Sequence, residues 1–287
     1  MARLSVADRL RHHVDSMTRA EAQLSDVILH NYPVSGLGSI TALAEAADVS
    51  TPTVGRFVQK LGFDGFSDFQ HTLRLELDEA ISSPLTKRAN WVNDAPEEHT
   101  LNRFTKTVIE NISQSLSEIE TQDFDDACGL LADTQHRVFV VGGRITRTLA
   151  DYLFLHLQVI RNGVTHITSN SNAWAHYLLE ADEGDVFVVF DIRRYENSTL
   201  RLAEMAAERG ARIILFTDQW ASPVATLADI TFRNRIAVPS AWDSSVASTL
   251  LVEAMIAKVQ EYDWSTTQER IEELEDMFDR TRFFRKF

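Results

Sequence analysis

The chain has 287 residues and a formal charge of −14, enough length for two domains with their own cores and too acidic a balance for a general nucleic-acid binder acting through bulk charge. Its single cysteine, Cys128, excludes an intramolecular disulfide, and its nine histidines show no His-x-x-x-His spacing, so no metal or other cofactor is expected. No signal peptide or bilayer-length apolar run is visible, which leads to an expected cytoplasmic location and no membrane partner.

In chain order, Leu4 to Val14 is a short amphipathic piece with Arg3, Arg9 and Arg11, able to track phosphates but expected as a solvated surface helix. Thr18-x-x-Glu21 is a capping box that starts a helix running to about Asn31, with Leu24, Val27 and Ile28 turned inward. Ser39 caps a second helix whose inner face is Ile40, Leu43, Ala44 and Ala47. After only Asp48-Val49, Ser50 opens a third, with Pro52 in its first turn, where a missing N–H does no harm. Val54, Phe57, Val58 and Leu61 fall at i, i+3, i+4 and i+7, and Gly62 follows as terminator. The opposite face carries Thr51, Thr53, Arg56, Gln59 and Lys60 and no acid. Two small-residue helices joined so tightly fit a helix-turn-helix whose second helix enters a DNA major groove, and by spacing alone fit an ordinary helical hairpin in an all-α domain about as well. Thr51, Pro52, Thr53 and Arg56 are expected at bases, and Ser50, Gln59 and Lys60 at phosphates. Ser67 is read as the cap of the next helix, with Phe69, Leu73 and Leu77 inside.

The ordered set Thr18-x-x-Glu21, Ser39-Ile40-x-x-Leu43-Ala44 and Val49-Ser50-x-x-Thr53-Val54-x-Arg56-Phe57-x-x-Lys60-Leu61-Gly62-Phe63-x-Gly65-Phe66 resembles the amino-terminal domain of the RpiR family of bacterial transcriptional regulators. One departure is Asp48 at the turn, where the family often has glycine; aspartate tolerates left-handed geometry. The resemblance implies a double-stranded DNA operator. The first 78 residues hold 7 basic and 10 acidic side chains, so the reader depends on a local patch and on dimerisation.

The stretch 81–96, with its prolines and Asn93-Asp94, breaks the periodicity and reads as a linker. A long helix is expected over 97–120, striped by Phe104, Val108, Ile112, Leu116 and Ile119 as core or dimer seam. From Arg137 the period changes. Apolar strands at 137–141, 164–167, 186–190, 212–216 and near 230–232 alternate with helices at 146–162, 197–209 and 244–260. That alternation predicts a doubly wound parallel sheet with ligands at the carboxyl ends of its strands. Cys128 lies in an apolar helical context and is expected in the core. The fold class is thus α/β with a separate all-α domain: a helix-turn-helix bundle over 1–80, the linker, a sheet domain over 97–265, and a helix and tail over 266–287.

Gly142, Ala150, Gly184-Asp185 and Glu208-Arg209-Gly210-Ala211 make the second half similar to a sugar isomerase (SIS) domain, the effector module of the RpiR family. The resemblance implies a sugar phosphate held by hydroxyl-rich loops at helix amino-termini. This chain departs there, with Gly142-Gly143-Arg144-Ile145-Thr146-Arg147 after the first strand and Asp191-Ile192-Arg193-Arg194-Tyr195 after the third. Four arginines predict a pocket for a small anionic metabolite. Alternatively, Arg193 and Arg194 pair with Asp191, Glu196 or neighbouring acids in a subunit interface. Ser169 and Asn170, and Ser244 and Ser245 at the closing helix, are further pocket candidates or plain helix caps. A phosphosugar isomerase is the alternative function, with Glu253 as its only placed base. A homodimer or homotetramer held by the sheet domain is expected.

Overall fold

The computed structural model describes residues 5–30, 32–81, 85, 87, 99–168 and 170–284, with residues 79–81 described in their backbone alone. The proposed linker over 81–96, apart from 81, 85 and 87, lies outside the described residues, as does Ser169.

The amino-terminal bundle comprises α1 (Val6–His12), α2 (Arg19–His30), α3 (Ile40–Ala46), α4 (Thr51–Lys60) and α5 (Phe66–Ile81). The capping box forms: Glu21 Oε2 accepts the Thr18 N–H at 2.8 Å and Thr18 Oγ1 accepts the Glu21 N–H at 3.4 Å. Ser39 Oγ accepts the Ala42 N–H at 3.1 Å at the head of α3. Leu24, Ile28, Leu43, Val54, Phe57, Val58, Phe69 and Leu73 close the core. Two expectations are corrected. Ser67 lies within α5, whose first carbonyl acceptor is Gly65, bonded by Phe69 N–H at 3.1 Å. And α1 is not a solvated surface helix, because Val6, Ala7 and Leu10 are buried.

The second half begins with α6 (Thr100–Ser117) and α7 (Thr121–Ala132). Five parallel strands follow: β1 (Val138–Gly142), β2 (Val164–His166), β3 (Val186–Phe190), β4 (Arg212–Asp218) and β5 (Ile230–Asn234), in the order β2-β1-β3-β4-β5. Between and after them run α8 (Arg147–Ile160), α9 (Trp174–Leu179), α10 (Asn197–Glu208), α11 (Val246–Tyr262) and α12 (Trp264–Thr281). The central strands are apolar throughout because both faces are covered. Val138, Val140, Val188, Phe190 and Phe216 pack with α7, α8 and α11, while Phe139, Val141, Phe187, Val189 and Leu215 pack with α9 and α10. Phe139 stacks on Phe187 with centroids 4.7 Å apart, and Phe190 on Phe216 at 4.6 Å.

Phe104, Val108 and Ile112 are half-buried as α6 lies against α11 and β5, but Leu116 is 44 % exposed. The carboxyl-terminal helix docks on the sheet domain: Arg270 Nε and Nη2 donate to the Val159 and Gln158 carbonyls at 3.0 and 2.7 Å, neutralising the carboxyl end of α8. Cys128 is buried, and burial pushes its thiol up to about 12, so it packs as a core residue. Among the described residues no helix is long and apolar enough to cross a membrane.

Candidate DNA-reading face and ligand pocket

The turn between α3 and α4 is made by Asp48, whose φ of +52° is the left-handed geometry expected there. Val49 N–H then reaches the Ala44 carbonyl at 2.9 Å, which fixes the angle at which α4 leaves. Val54, Phe57, Val58 and Leu61 anchor α4 from below. Its outer face presents Ser50, Pro52, Arg56, Gln59 and Lys60 exposed, and Thr51 and Thr53 half-buried.

Ser50 occupies the cap position without bonding the backbone; its hydroxyl meets Thr53 Oγ1 at 2.8 Å instead. Arg56 Nη2 donates to the same Thr53 oxygen at 3.4 Å. Three of the side chains read as DNA contacts are therefore tied in a row before any ligand arrives. Lys60 is engaged elsewhere: its Nζ donates to Ser16 O at 2.7 Å and pairs with Glu21 Oε2 at 2.8 Å. At the far end, Arg9 Nη1 donates to the Leu61 and Gly62 carbonyls at 3.0 and 3.1 Å and its guanidinium lies 4.4 Å over the Phe63 ring.

In the second half, the loops after β1 and β3 meet at the reversal of strand order, where ligands bind in open parallel sheets. Gly142 is obligatory there, since a Cβ would stand 2.6 Å from the Thr146 and Arg147 backbone. Thr146 Oγ1 accepts the Gly143 N–H at 2.9 Å and donates to Phe190 O at 2.7 Å, bridging the two strands. Arg144 N–H, at the head of α8, donates to Glu196 Oε1 at 2.8 Å, and that carboxylate sits so close that a Cβ on Gly143 would meet it at 2.9 Å. The chain thus places its own anion at the β1 loop.

Of the four arginines, Arg144, Arg147 and Arg194 are exposed. Arg193 is not free for a ligand. Its side chain is 3 % exposed, donates from Nη2 and Nε to Asp243 at 2.6 and 3.2 Å, and lies 4.4 Å over Trp220. Lys87 joins Asp243 as a second cation. The pairing expected with Asp191 or Glu196 is thus made within the chain to Asp243.

Asp191, at the end of β3, is buried, and burial pushes its carboxyl up to about 7 even though Ser222 Oγ–H donates to it. Asp218, at the end of β4, accepts from Arg193 N–H at 2.8 Å, Trp220 N–H at 3.0 Å and Tyr195 O–H at 2.6 Å; burial nevertheless raises its pKa. Of the flanking candidates, Asn170 Oδ1 accepts Asn172 N–H at 3.2 Å and Ser244 Oγ accepts Val246 N–H at 3.3 Å, so both serve as local caps, while Ser245 precedes α11 without a side-chain capping bond.

The sequence reading missed four buried side chains with polar atoms that lack a partner among the described residues: Thr199 Oγ1 and Ser248 Oγ in the first turns of α10 and α11, Gln219 Oε1 after β4, and both amide atoms of Asn234 ending β5. Buried polar atoms ordinarily find partners, and these four side chains all lie at the carboxyl edge of the sheet. Their signal is position, within two residues of a strand end or a helix start, and it shows only once the strand ends are fixed.

A family model described as a helix-turn-helix domain of the rpiR family matches residues 4–81, and a SIS domain model matches residues 130–258. The HTH-type transcriptional regulator HexR of Pseudomonas aeruginosa is 26 % identical over 219 residues, covering 74 % of this chain and 73 % of HexR. The sugar isomerase domain of an RpiR transcription factor from Sphaerobacter thermophilus superimposes with a TM-score of 0.58 at 22 % identity, covering 62 % of this chain and 99 % of that one. The Vibrio vulnificus NanR protein, complexed with ManNAc-6P, superimposes with a TM-score of 0.55 at 17 % identity over 96 % of this chain and 98 % of that one.

Proposed function

The chain belongs to the rpiR family of helix-turn-helix proteins with a SIS domain, and from that premise we propose that it is a transcription factor whose DNA affinity is set by a carbohydrate-derived metabolite. The observation that carries the reading is the acid-free outer face of α4, anchored by Val54, Phe57, Val58 and Leu61 and already ordered through Ser50, Thr53 and Arg56. Such a helix offers hydroxyls and one planar cation to base edges at small entropic cost.

The proposed effector site is the carboxyl edge of the sheet, where Thr199, Gln219, Asn234 and Ser248 have polar atoms without partners among the described residues and Asp191 and Asp218 accept from hydroxyls. That lining suits a polyhydroxylated molecule. An anionic group on it would be met by the β1 loop and by Arg144, Arg147 and Arg194. Sugar-phosphate binding by NanR, a protein of the same fold, agrees with this class. An isomerase reading lacks support at its proposed base: Glu253 is exposed and accepts from Tyr152 O–H at 3.1 Å on the outer surface of α8 and α11.

The test is selection of a duplex from random sequences, followed by titration at several salt concentrations. Arg56→Ala should cost about 1–3 kcal/mol and relax specificity, while Lys60→Ala, which removes an ammonium already paired with Glu21, should lower affinity and salt slope by less than loss of a full phosphate contact would. An Arg56→Ala protein that binds the selected duplex as tightly as wild type would refute the assignment of α4.

A further inference from the structure

Asp8 and Arg9 are adjacent in sequence and grip opposite halves of the molecule. The Asp8 carboxylate has a side-chain exposure of 1 % and accepts from Arg235 Nη2 at 2.6 Å. Arg235 follows Asn234, the last residue of β5, and also pairs with Glu118 at the end of α6, while its own N–H donates to Ser115 Oγ at 2.8 Å. Arg9 caps the carboxyl end of α4 through the Leu61 and Gly62 carbonyls. Between them, α1 is clamped to the reader: Val6 N–H donates to Glu76 Oε1 at 2.9 Å, Ala7 N–H to Tyr32 Oη at 3.2 Å, and Tyr32 O–H to Glu76. Tyr32 itself packs against the cores of both halves.

We propose that α1 is the coupling element of the molecule, with Asp8, Arg9 and Arg235 as positioning residues that transmit ligand occupancy at the sheet edge to the recognition helix. The route is short. Asp218 and Asn234 are register partners on β4 and β5. A ligand that satisfies the Asn234 amide moves the residue next to Arg235, and Arg235 holds Asp8. Opening the contact leaves the buried Asp8 carboxylate with only Arg11 Nη1, at 3.1 Å, and the Ser5 N–H, at 2.9 Å, as partners, so a displacement of Arg235 carries a cost at Asp8. Arg233, whose Nε is buried without a partner, lies close enough to Arg11, Glu118 and Asp8 for their charges to act on it. A shift of Arg235 therefore changes the balance of the whole charged junction. This inference rests on the DNA-reading function proposed above.

Hydrogen exchange on the full chain tests it in two arms. In the first, without DNA, Arg235→Gln is compared with wild type, and Asp8→Asn/Arg235→Gln serves as the variant that leaves no lone partner of the pair. Both should raise exchange over 6–12 and 57–62 by about tenfold while the strands β1 and β3 keep their protection. Unchanged exchange over 57–62 in the double variant overturns the proposal. In the second arm a selected duplex is added. Wild type should gain protection over 230–238, in the other half of the chain, and the double variant should bind the duplex yet lose that gain, as reciprocity requires. Protection over 230–238 that persists in the double variant, or never arises in wild type, also overturns it. If no duplex is ever selected, the DNA-reading function fails and the first arm still decides the coupling.

Discussion

The Asp191 carboxyl is one group through which pH acts on this molecule. It titrates near 7 in the folded chain against an ordinary value of 3.8, because burial penalises its charged form. Between those two values the folded state holds a proton that the unfolded state has lost, so stability falls as pH rises from about 4 to 7 and stays reduced above. At about 1.4 kcal/mol per pH unit the full cost is on the order of 4 kcal/mol. Asp191→Asn keeps the acceptor for Ser222 and removes the charge. Thermal unfolding should show the variant more stable than wild type at pH 8, with most of that gain gone at pH 5. A gain that does not depend on pH would mean that the carboxylate is not what the fold resists. Arg193 and Arg194 separate just as cleanly. Arg193→Ala removes the main partner of Asp243 and should cost about 3 kcal/mol, near the low end for a buried pair because Lys87 remains. Arg194→Ala should leave the unfolding midpoint unchanged. Equal midpoints for the two variants would sink this assignment.

At the scale of elements, the loop after β1 and the head of α10 are joined by one carboxylate, and the join predicts its own release. Glu196→Ala frees the Arg144 N–H and opens the space beside Gly143. Titration of the full chain with inorganic phosphate and glucose 6-phosphate should show tighter binding in the variant by about 1 kcal/mol or more, the scale of one charge-assisted hydrogen bond. Anion affinity that stays the same or falls in the variant would show that Glu196 is not a competitor. The elements themselves were largely legible from residue order. An apolar stripe at helical spacing, a cap and a left-handed Asp48 are local signals, and so are uninterrupted strands buried on both faces. What residue order hid is pairing across loops. Nothing near Arg193 points to Asp243, and nothing near Glu196 points to Arg144; the sheet brings them together. The short helix α1 was misread for a different reason, since Arg9 and Arg11 dominate its composition while Val6, Ala7 and Leu10 do the packing.

For the molecule as a whole, the sheet domain is expected to hold the oligomer. It carries the longer helices, and α6 keeps Leu101 and Ile109 at 65 % and 59 % exposure, whereas the apolar stripe of α4 is consumed within the reader. Sedimentation of fragments 1–80 and 97–287 checks this: the larger should self-associate and the smaller should remain a monomer at micromolar concentration. The reverse pattern would relocate the seam. Two readers carried on one dimer would then address half-sites repeated along the duplex.

The carboxylate of Glu196 has one more consequence, for the concentration at which the proposed effector would bind. A group tethered by a few bonds presents itself to its site at an effective concentration that a free solute must match, on the order of millimolar or above. An anion seeking the Arg144 N–H therefore competes with a rival that is never diluted. Trace amounts leave the loop as it stands, and occupancy begins only once the solute approaches that level. On the proposed function the tether converts the site into a threshold, and its height would be adjusted by changing a single side chain without touching the residues proposed to hold the effector.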